Sequence, residues 1–464
     1  MSRYLKYLKY LKNMAFPVQK NSVITIVGTT GVGKSKFSID LAKAINGEIV
    51  NADSMQVYEG IDIISNKHPQ EEREGVEHHV MNHVKWTEEY FIHRFTREAN
   101  KAIEEIHKKG KTPIVIGGTH YYLQSLLFKN KTVGESEDFS KEKKLTDEQI
   151  SILDGTTENI IRELKKVDPV IADKFHPQDR RKLRRAMEIF FYTGRKPSDI
   201  YRDQKLEELG DSSLKFNSLF FWVYSDSDVL KERLDDRVDK MMNLGALKEI
   251  EELFSVYRNL HPKPSCTNGV WQVIGFKEFL PWLEEGKTSG KLFAEGIERM
   301  KIRTRQYAKY QTKWIKKLLS VELAKEARFA YRYGGKMYLL DSTDLSNWDT
   351  NVSQVGIEIA KQFLESGPSS VAYPQAPSHL LDLLPDSAFI NNLNSNKVLG
   401  SEANWKHFEC PVCTDKQGNK LVAVGETNWD IHIKSRRHKR SLKYVEKKKR
   451  ASEEEENTTK IQKV

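Results

Sequence analysis

Stretches of apolar residues of strand length and of helix length alternate along the first part of the chain. Val23 to Val27 is a short apolar run of strand length, and the apolar residues from Lys36 to Ile45 recur at helical spacing. The alternation continues with a strand from Glu48 to Asn51, a helix from Trp86 to Lys109, and strands from Pro113 to Gly117 and from Leu219 to Tyr224. Such alternation favours a parallel sheet with helices on both faces, so the predicted fold class is α/β.

The pattern changes between residues 129 and 216, where charged loops and helical periodicity replace the strands. This change predicts an all-helical insertion into a core made of residues 21–128 and 217–345, which ends in helices. The other predicted segments are a basic N-terminal segment at 1–20, a linker at 346–404, a small module at 405–444 and a charged tail at 445–464.

Length and charge narrow the class of protein. A chain of 464 residues is too long for one ordinary core, so two or three domains are expected. Its net charge of +10 favours a polyanionic partner, although lysines that only maintain solubility are the alternative. No apolar run approaches the roughly 18 residues of a spanning helix, so no membrane partner is expected.

The N-terminal segment leaves two interpretations open. It carries Lys and Arg, has no acidic residue before Asp40, and places apolar residues at helical spacing. These features fit a mitochondrial import peptide, and equally a lysine-bearing disordered tail. Met14 offers a second start that would remove the segment. The expected location is therefore the cytoplasm, with mitochondrial and nuclear pools.

A glycine-rich turn joins the first strand to the first helix. The turn matches the P-loop pattern G-x-x-x-x-G-K-S and consists of Gly28, Thr29, Thr30, Gly31, Val32, Gly33, Lys34 and Ser35. In such a loop the backbone N–H groups hold phosphate oxygens, the lysine neutralises charge, and the Ser35 hydroxyl can hold Mg²⁺. The motif does not say whether the phosphates belong to ATP.

The carboxylates near this loop argue against ATP. A kinase or NTPase usually holds Mg²⁺ with an Asp at the end of an apolar strand, but the strand at 113–117 runs into Gly118 and Thr119. Asp53 instead follows the strand at 48–51, and ligands of open α/β sheets bind at this end of the strands. Asp53 is therefore a candidate site residue, and a helix cap is the alternative.

A metal site is predicted near the C-terminus. Cys410 and Cys413 are followed by His432 and His438, which gives C-x2-C and H-x5-H pairs. Two thiols and two imidazoles at this spacing suit a structural Zn²⁺, although a coincidental pair of thiols is the alternative. Basic residues lie within and after the module, which favours contact with RNA backbone or retention in the nucleus.

Eight sequence blocks between Val23 and Trp314 resemble, in order, the signatures of the tRNA dimethylallyltransferase family. The blocks are DSMQVY at 53–58, NK at 66–67, GVEHH at 75–79, GGTHYY at 117–122, HPQDRR at 176–181, RLDDRV at 233–238, IGFKE at 274–278 and TRQYAK at 304–309. The residues at 120 and 121 depart from the Gly-Leu typical of bacterial members. Together with the C-terminal module, they make the chain more similar to the eukaryotic branch.

The resemblance implies a chemistry for these residues. The family transfers a dimethylallyl group from dimethylallyl diphosphate to N6 of adenine 37 of tRNA. Its pattern implies that Lys34, Ser35 with Mg²⁺, and Arg237 hold the diphosphate as charge develops on it. Asp53 would accept the N6 proton, with Thr119 as a second orienting group. Without the resemblance, Arg237 would be interpreted as a surface charge on an amphipathic helix.

The resemblance also implies contacts with the tRNA anticodon stem-loop. The residues expected to contact RNA are Ser54, Met55, Gln56, Arg181, Lys182, Arg184, Arg185, Lys277, Arg303, Arg305, Gln306 and Lys309. An amide such as that of Gln56 would contact base edges, and the basic residues would contact the backbone. For the two basic helices, a solvated helix face is the alternative interpretation.

Three other functions each fit part of the sequence. A P-loop kinase or NTPase explains the glycine-rich turn but not the sequence at 117–119, the insertion or the metal module. A prenyltransferase that acts on free adenylate is a nearer competitor, disfavoured by the RNA-directed helices and the basic tail. A non-catalytic RNA-binding adaptor is disfavoured because Lys34, Ser35, Asp53, Thr119 and Arg237 are all present. A monomer is the default expectation.

Overall fold

The computed structural model describes residues 21–129, 145–386, 388, 390, 405–415 and 418–447. The predicted N-terminal segment at 1–20 lies outside the described residues, as do most of the charged tail and the end of the predicted linker. The chain divides into two compact units. The first contains residues 1–131 and 211–395, and the second contains residues 132–210 and 396–464.

A six-stranded parallel sheet forms the centre of the first unit. Its strands are β1 Ser22–Gly28, β2 Gly47–Asn51, β3 His78–His79, β4 Thr112–Ile116, β5 Asn217–Tyr224 and β6 Gly334–Asp341, in the order β3-β2-β4-β1-β5-β6. Two β-strands of the second unit form a separate antiparallel pair, β7 His407–Thr414 and β8 Lys420–Val424. The predicted α/β class with a parallel sheet is confirmed.

Helices cover the sheet and form most of the second unit. They are α1 Lys34–Ile45, α2 Ile92–Lys108, α3 His120–Leu127, α4 Asp147–Asp154, α5 Thr157–Val167, α6 Pro169–Lys174, α7 Arg180–Thr193, α8 Pro197–Gly210, α9 Ser227–Leu244, α10 Ala246–Tyr257, α11 Phe276–Glu284, α12 Gly290–Trp314, α13 Ser320–Ala324, α14 Gln354–Ser366 and α15 Glu426–Lys434. No described helix combines the length and apolar character needed to cross a membrane.

Strand β5 shows why the sheet is buried on both faces. Phe220 and Trp222 pack in one apolar cluster, and Phe221 and Val223 pack in another on the opposite face. All four side chains are inaccessible to solvent. Since side chains alternate between the faces of a strand, a continuous apolar run is what a strand covered on both faces requires. The buried sheet gives the turns at its carboxyl edge a rigid base.

Several elements were missed by the sequence prediction, among them β6 and α14. Strand β6 begins with a glycine pair after a helical region and has only a short apolar run, so its pattern is weak. The predicted linker at 346–404 is wrong in its first part, because α14 occupies residues 354–366. Ile359 and Phe363 of this helix are buried against the sheet. Tertiary burial of an apolar helix face, which local composition does not reveal, explains the difference.

The second unit has its own core. Apolar residues of α4, α5 and α7, among them Leu153, Leu164 and Met187, form one buried cluster. The ring of His407 donates a hydrogen bond from Nε2 to the Phe175 carbonyl at 3.0 Å. His176 donates from its own Nε2 to the Val422 carbonyl at 3.2 Å. The helical insertion and the C-terminal module therefore contact each other through reciprocal histidine bonds.

Candidate functional site

A cavity of about 610 Å³ lies in the first unit, where strands β1, β2 and β4 end. The turn after β1, the segment after β2, helix α9 and helix α12 all contribute to its walls. Among the predicted site residues, those that line it are Thr30, Gly31, Gly33, Lys34, Ser35, Asp53, Ser54, Met55, Gln56 and Arg237. This position at the carboxyl ends of parallel strands is where open α/β sheets bind ligands.

The glycine-rich turn has the conformation that a phosphate-binding loop needs. Gly33 has a φ of 90°, in the left-handed region, and immediately precedes the first residue of α1. The side chains of Thr29 and Val32 are buried beneath the loop. The Lys34 ammonium donates to the Thr29 carbonyl at 2.7 Å, so it is held against the loop itself. The N-terminus of α1 and the lysine thus border the same cavity.

Two cationic side chains line the cavity. Burial, opposed by the Asp53 charge and assisted by the positive charge of Arg237, lowers the pKa of Lys34 to about 8. Burial also lowers the pKa of Arg237 to about 10. Among the described residues, no carboxylate lies within ion-pair distance of Arg237. A partly buried cation without a protein counter-ion favours an anionic ligand in the cavity.

Asp53 lies in a turn that holds its carboxylate towards the cavity. Its Oδ1 accepts a hydrogen bond from the backbone N–H of Met55 at 2.9 Å, and its own N–H donates to the Asn51 side chain at 3.1 Å. Burial raises the pKa of Asp53, although hydrogen bonds from the backbone N–H groups of Met55 and Gln56 and the positive charge of Lys34 oppose the shift. A carboxylate with a raised pKa beside a ligand cavity is suited to accept a proton.

Thr119 lies next to the cavity and contacts residues that line it. Its Oγ1 accepts a hydrogen bond from the Ser54 backbone N–H at 3.0 Å and lies 3.3 Å from the Ser54 hydroxyl. The side chains of Thr119 and Gln311 lie near the Tyr307 phenol and oppose the rise in its pKa that burial causes. Thr119 therefore orients the residue that follows Asp53 and contacts a tyrosine of the cavity wall.

The sequence prediction missed Tyr307 and Gln311. Gln311 accepts a hydrogen bond from the Thr30 N–H at 2.9 Å and donates to the Gly118 carbonyl at 3.4 Å, so it joins the glycine-rich turn to the turn after β4. Together with Thr304, both residues line the cavity from α12. The sequence carries a signal for these residues, because Thr304, Tyr307 and Gln311 are spaced at i, i+3 and i+7 and therefore lie on one face of a helix.

A kinase would place a metal-binding carboxylate at the end of strand β4. In this protein that strand end has no room for a side chain. A Cβ atom on Gly117, the first residue after β4, would overlap the backbone of Ala52. A side chain at position 117 is therefore excluded by contact with the neighbouring strand end. The residues after β4 instead place Gly118 against the Gln311 side chain.

The predicted RNA-contacting residues occupy both units. In the first, Lys277, Arg303, Gln306 and Lys309 are exposed, while Arg305 is paired with Asp235 at 2.6 Å. In the second, Arg181 is exposed on α7.

The neighbours of Arg181 on α7 make local ion pairs. Lys182 contacts Asp179 at 2.9 Å, and Arg184 contacts Asp154 at 2.7 Å. Arg185 lies 3.3 Å from Glu188. Surface ion pairs are weak, so these side chains could bind an RNA phosphate in place of their acidic partners. Their role in RNA binding stays a prediction.

The four predicted metal ligands come together in the second unit. One ligand atom from each of Cys410, Cys413, His432 and His438 lies within 4.8 Å of the others. The Cys410 and Cys413 sulfurs lie 3.4 Å and 3.6 Å from Nδ1 of His438. Nε2 of His432 is buried and has no hydrogen-bond partner, as a ligand nitrogen would be before metal binding. Two thiols and two imidazoles fit a tetrahedral zinc ion.

Comparisons with known proteins match this arrangement to one family. The family model described as IPP transferase matches residues 56–318. The tRNA dimethylallyltransferase of Saccharomyces cerevisiae is 50% identical over 425 residues, which cover 91% of this chain and 92% of that protein. The human tRNA dimethylallyltransferase is 33% identical over 458 residues, covering 95% of this chain and 90% of that protein.

A solved structure extends the match to the fold. The crystal structure of a eukaryotic dimethylallyltransferase acting on tRNA is 48% identical to this chain, with a TM-score of 0.77. The match covers 94% of this chain and all of the solved one. The predicted resemblance is thus confirmed, and the chain belongs to the IPP transferase family, which includes the eukaryotic tRNA dimethylallyltransferases.

Proposed function

We propose that this protein transfers a dimethylallyl group from dimethylallyl diphosphate to N6 of adenine 37 of tRNA. The observation that carries the proposal is one cavity lined by two cations, Lys34 and Arg237, and by one carboxylate with a raised pKa, Asp53. The family membership and the names of the yeast and human relatives support the same activity.

The cavity suits both parts of a prenyl diphosphate. The N–H groups of the glycine-rich turn, with Lys34 and Arg237, supply positive charge for the diphosphate. The same cavity has apolar walls, to which Met55, Met241 and Met300 contribute. Methionine side chains adapt to irregular apolar groups such as a five-carbon branched chain.

In the proposed reaction, the adenine N6 lone pair attacks C1 of the dimethylallyl group. The C1–O bond breaks, and its electron pair leaves with the diphosphate, whose new charge is stabilised by Lys34, Arg237 and the loop N–H groups. The N–C bond places an extra proton on N6, and the Asp53 carboxylate accepts that proton. The products are N6-dimethylallyladenosine in the RNA and inorganic diphosphate.

The residues present also fit a magnesium ion. The Ser35 hydroxyl lines the cavity beside the loop that would hold the diphosphate, and oxygen atoms are the ligands that Mg²⁺ prefers. Among the described residues, the Ser35 hydroxyl makes no hydrogen bond that would compete with such a role. When bound, Mg²⁺ would neutralise part of the diphosphate charge. Zinc at the Cys410 cluster would be structural, because all four ligand positions are filled by protein.

The proposal is tested by incubating the purified protein with Mg²⁺, labelled dimethylallyl diphosphate and an anticodon stem-loop. We expect label on the stem-loop with adenine at position 37. A matched stem-loop with purine riboside at that position, which lacks the N6 amine, should remain unlabelled. Transfer to free adenylate but not to RNA, or ATP turnover without label transfer, would contradict the proposal.

The zinc cluster leads to a separate prediction. Replacing Cys410 by Ser removes one ligand, and we expect bound zinc to fall from about one equivalent to near zero, because such modules depend on their metal for folding. The affinity for the stem-loop should weaken about tenfold at 0.1 M salt, since basic residues of the module lose their positions. The turnover number at saturating RNA should change little. Zinc release and RNA affinity at several salt concentrations provide the measurements.

Cys266→Ser is the matched control for this experiment. Cys266 lies in the first unit beside the Tyr257 hydroxyl, at 3.9 Å, and takes no part in the cluster. The control should keep its zinc and its RNA affinity. Unchanged, salt-dependent RNA binding after zinc loss from the Cys410 variant would remove the module from the RNA interface.

A further inference from the structure

A segment after the last strand of the sheet contacts the helix that carries Arg237. Residues 342–353 are here called the strap. The guanidinium of Arg233 on α9 donates to the carbonyl of Ser342 at 2.8 Å and also to the carbonyl of Thr343. At the start of the same helix, the N–H of Asp226 donates to the Thr343 hydroxyl at 3.0 Å. The first residues of the strap are thus bonded to α9 one turn before Arg237.

The other end of the strap contacts the glycine-rich turn. Trp348 is 6% exposed, and its ring lies where a side chain of Gly33 would be, since a Cβ atom on Gly33 would come within 2.5 and 2.6 Å of ring carbons. Gly33 has a left-handed φ of 90° and directly precedes Lys34, so its conformation sets the direction of the phosphate-binding N–H groups. The Trp348 ring packs against this residue. Trp348 is not among the residues that line the cavity, so it supports the loop from outside the cavity.

Polar contacts hold Trp348 and the end of the strap to helix α1. The indole N–H donates to Oδ2 of Asp40 at 3.5 Å, and the Ser353 hydroxyl donates to the same oxygen at 3.1 Å. Lys36 is also 3.1 Å from this carboxylate, and its ammonium lies 5.3 Å from the centre of the Trp348 ring. The strap is consequently bonded to the helix that begins at the P-loop lysine.

We propose that the strap, through Trp348, is a positioning element that sets the spacing of the two groups that bind the diphosphate, the P-loop and Arg237. The strap contacts neither substrate in the proposed reaction; it acts through Gly33 on one side and Arg233 on the other. Direct contact between the loop and α9 exists at Gly31 and Leu234, so the strap adds a second, independent support. Diphosphate binding needs both sets of donors at the correct separation, because charge-assisted hydrogen bonds weaken with misplacement.

The test measures binding of inorganic diphosphate by calorimetry in the full chain, with Trp348→Ala, Trp348→Phe and Leu345→Ala variants. Leu345 is 55% exposed on the same strap and is the matched control. We expect about tenfold weaker diphosphate binding for Trp348→Ala, equal to about 1.4 kcal/mol. Trp348→Phe, which keeps a ring against Gly33, should recover most of the affinity. Leu345→Ala should match the parent protein.

Steady-state kinetics then separate positioning from general loss of structure. For Trp348→Ala, KM for dimethylallyl diphosphate should rise about tenfold while kcat and stem-loop affinity stay within about threefold. Unchanged diphosphate affinity would overturn the proposal, and so would a parallel fall of kcat and RNA affinity in Trp348→Ala. If Trp348→Ala does not fold, Trp348→Phe provides the test. A Trp348→Phe variant whose diphosphate affinity is more than threefold below that of the parent protein would leave only a packing role for Trp348.

This inference rests on the proposed function, but the two can fail separately. Diphosphate binding does not depend on which acceptor receives the prenyl group. A parent protein that labels no RNA, yet loses diphosphate affinity on Trp348→Ala, would contradict the proposed function alone. A protein that labels RNA and is indifferent to Trp348 would contradict the positioning role alone.

Discussion

Replacing Asp53 by Asn should lower kcat by about 10²- to 10⁴-fold, because asparagine keeps the shape of the side chain but cannot accept the N6 proton. The hydrogen bond from the Met55 N–H can still be made to the amide oxygen, so the turn should keep its conformation. The dissociation constant for the stem-loop should therefore stay within about twofold. Single-turnover transfer of label and RNA binding by fluorescence anisotropy measure the two quantities.

The pH dependence provides a second check on Asp53. The proposed base works only in its ionised form, so kcat/KM should fall as the pH falls through its pKa. Since burial raises the pKa of Asp53, this fall should begin at a higher pH than for an exposed aspartate. In the free enzyme, Lys34 has a pKa of about 8, so kcat/KM should also decline above that pH as its charge is lost.

Asp236→Asn is the control for the Asp53 variant. Asp236 is exposed on α9, next to Arg237, and its substitution removes one negative charge from the surface. Turnover and the acid limb of the pH profile should be unchanged. An Asp53→Asn variant with normal turnover, or with RNA affinity reduced as much as kcat, would assign Asp53 a structural role.

Replacing Arg237 by Gln should lower kcat/KM for dimethylallyl diphosphate by about 10²- to 10³-fold, the usual effect of removing a donor that stabilises developing charge. Arg237 lines the cavity without an acidic partner among the described residues, so the variant leaves no carboxylate unpaired. The loss should appear in diphosphate affinity as well as in kcat. Calorimetry with inorganic diphosphate and steady-state kinetics measure both.

Two further variants show whether charge or geometry matters at this position. Arg237→Lys keeps the charge but not the planar fork of donors, and should recover only part of the activity. Lys240→Gln removes an exposed positive charge from the same helix and should not change kcat or KM for dimethylallyl diphosphate. Equal losses of kcat/KM in the Lys240 and Arg237 variants would mean that the general positive potential of the helix, and not a specific contact with Arg237, attracts dimethylallyl diphosphate.

The sequence prediction succeeded where residue type and spacing reflect local chemistry. Gly33, Lys34 and Ser35 border the cavity as the P-loop pattern requires, and Asp53 borders it because a residue that ends a parallel strand lies at the ligand-binding edge. The four Cys and His ligands meet in one cluster for a similar reason, since their spacing is that of a folded metal module. Each of these predictions depends on a few neighbouring positions.

The residues that were missed depend on contacts between distant positions. Gln311 bonds to Thr30, and Trp348 packs on Gly33, across 281 and 315 positions of the chain, respectively. Nothing in the composition around Trp348 distinguishes a tryptophan that supports a phosphate loop from one that fills a core. Its segment was predicted as part of a linker, and α14, which follows it, was missed for the same reason.

Local order along the chain was sufficient to predict the α/β class, to place the glycine-rich turn and the acid after the second strand at the cavity, and to place the four Cys and His residues in one cluster, because short-range backbone and side-chain chemistry produces each of them. Packing decided that Arg237 has no acidic partner among the residues that the structure describes, that Arg305 is paired with Asp235, and that Trp348 lies against Gly33. The charge and position of a side chain in a site depend on neighbours from remote segments, and only folding brings those neighbours together.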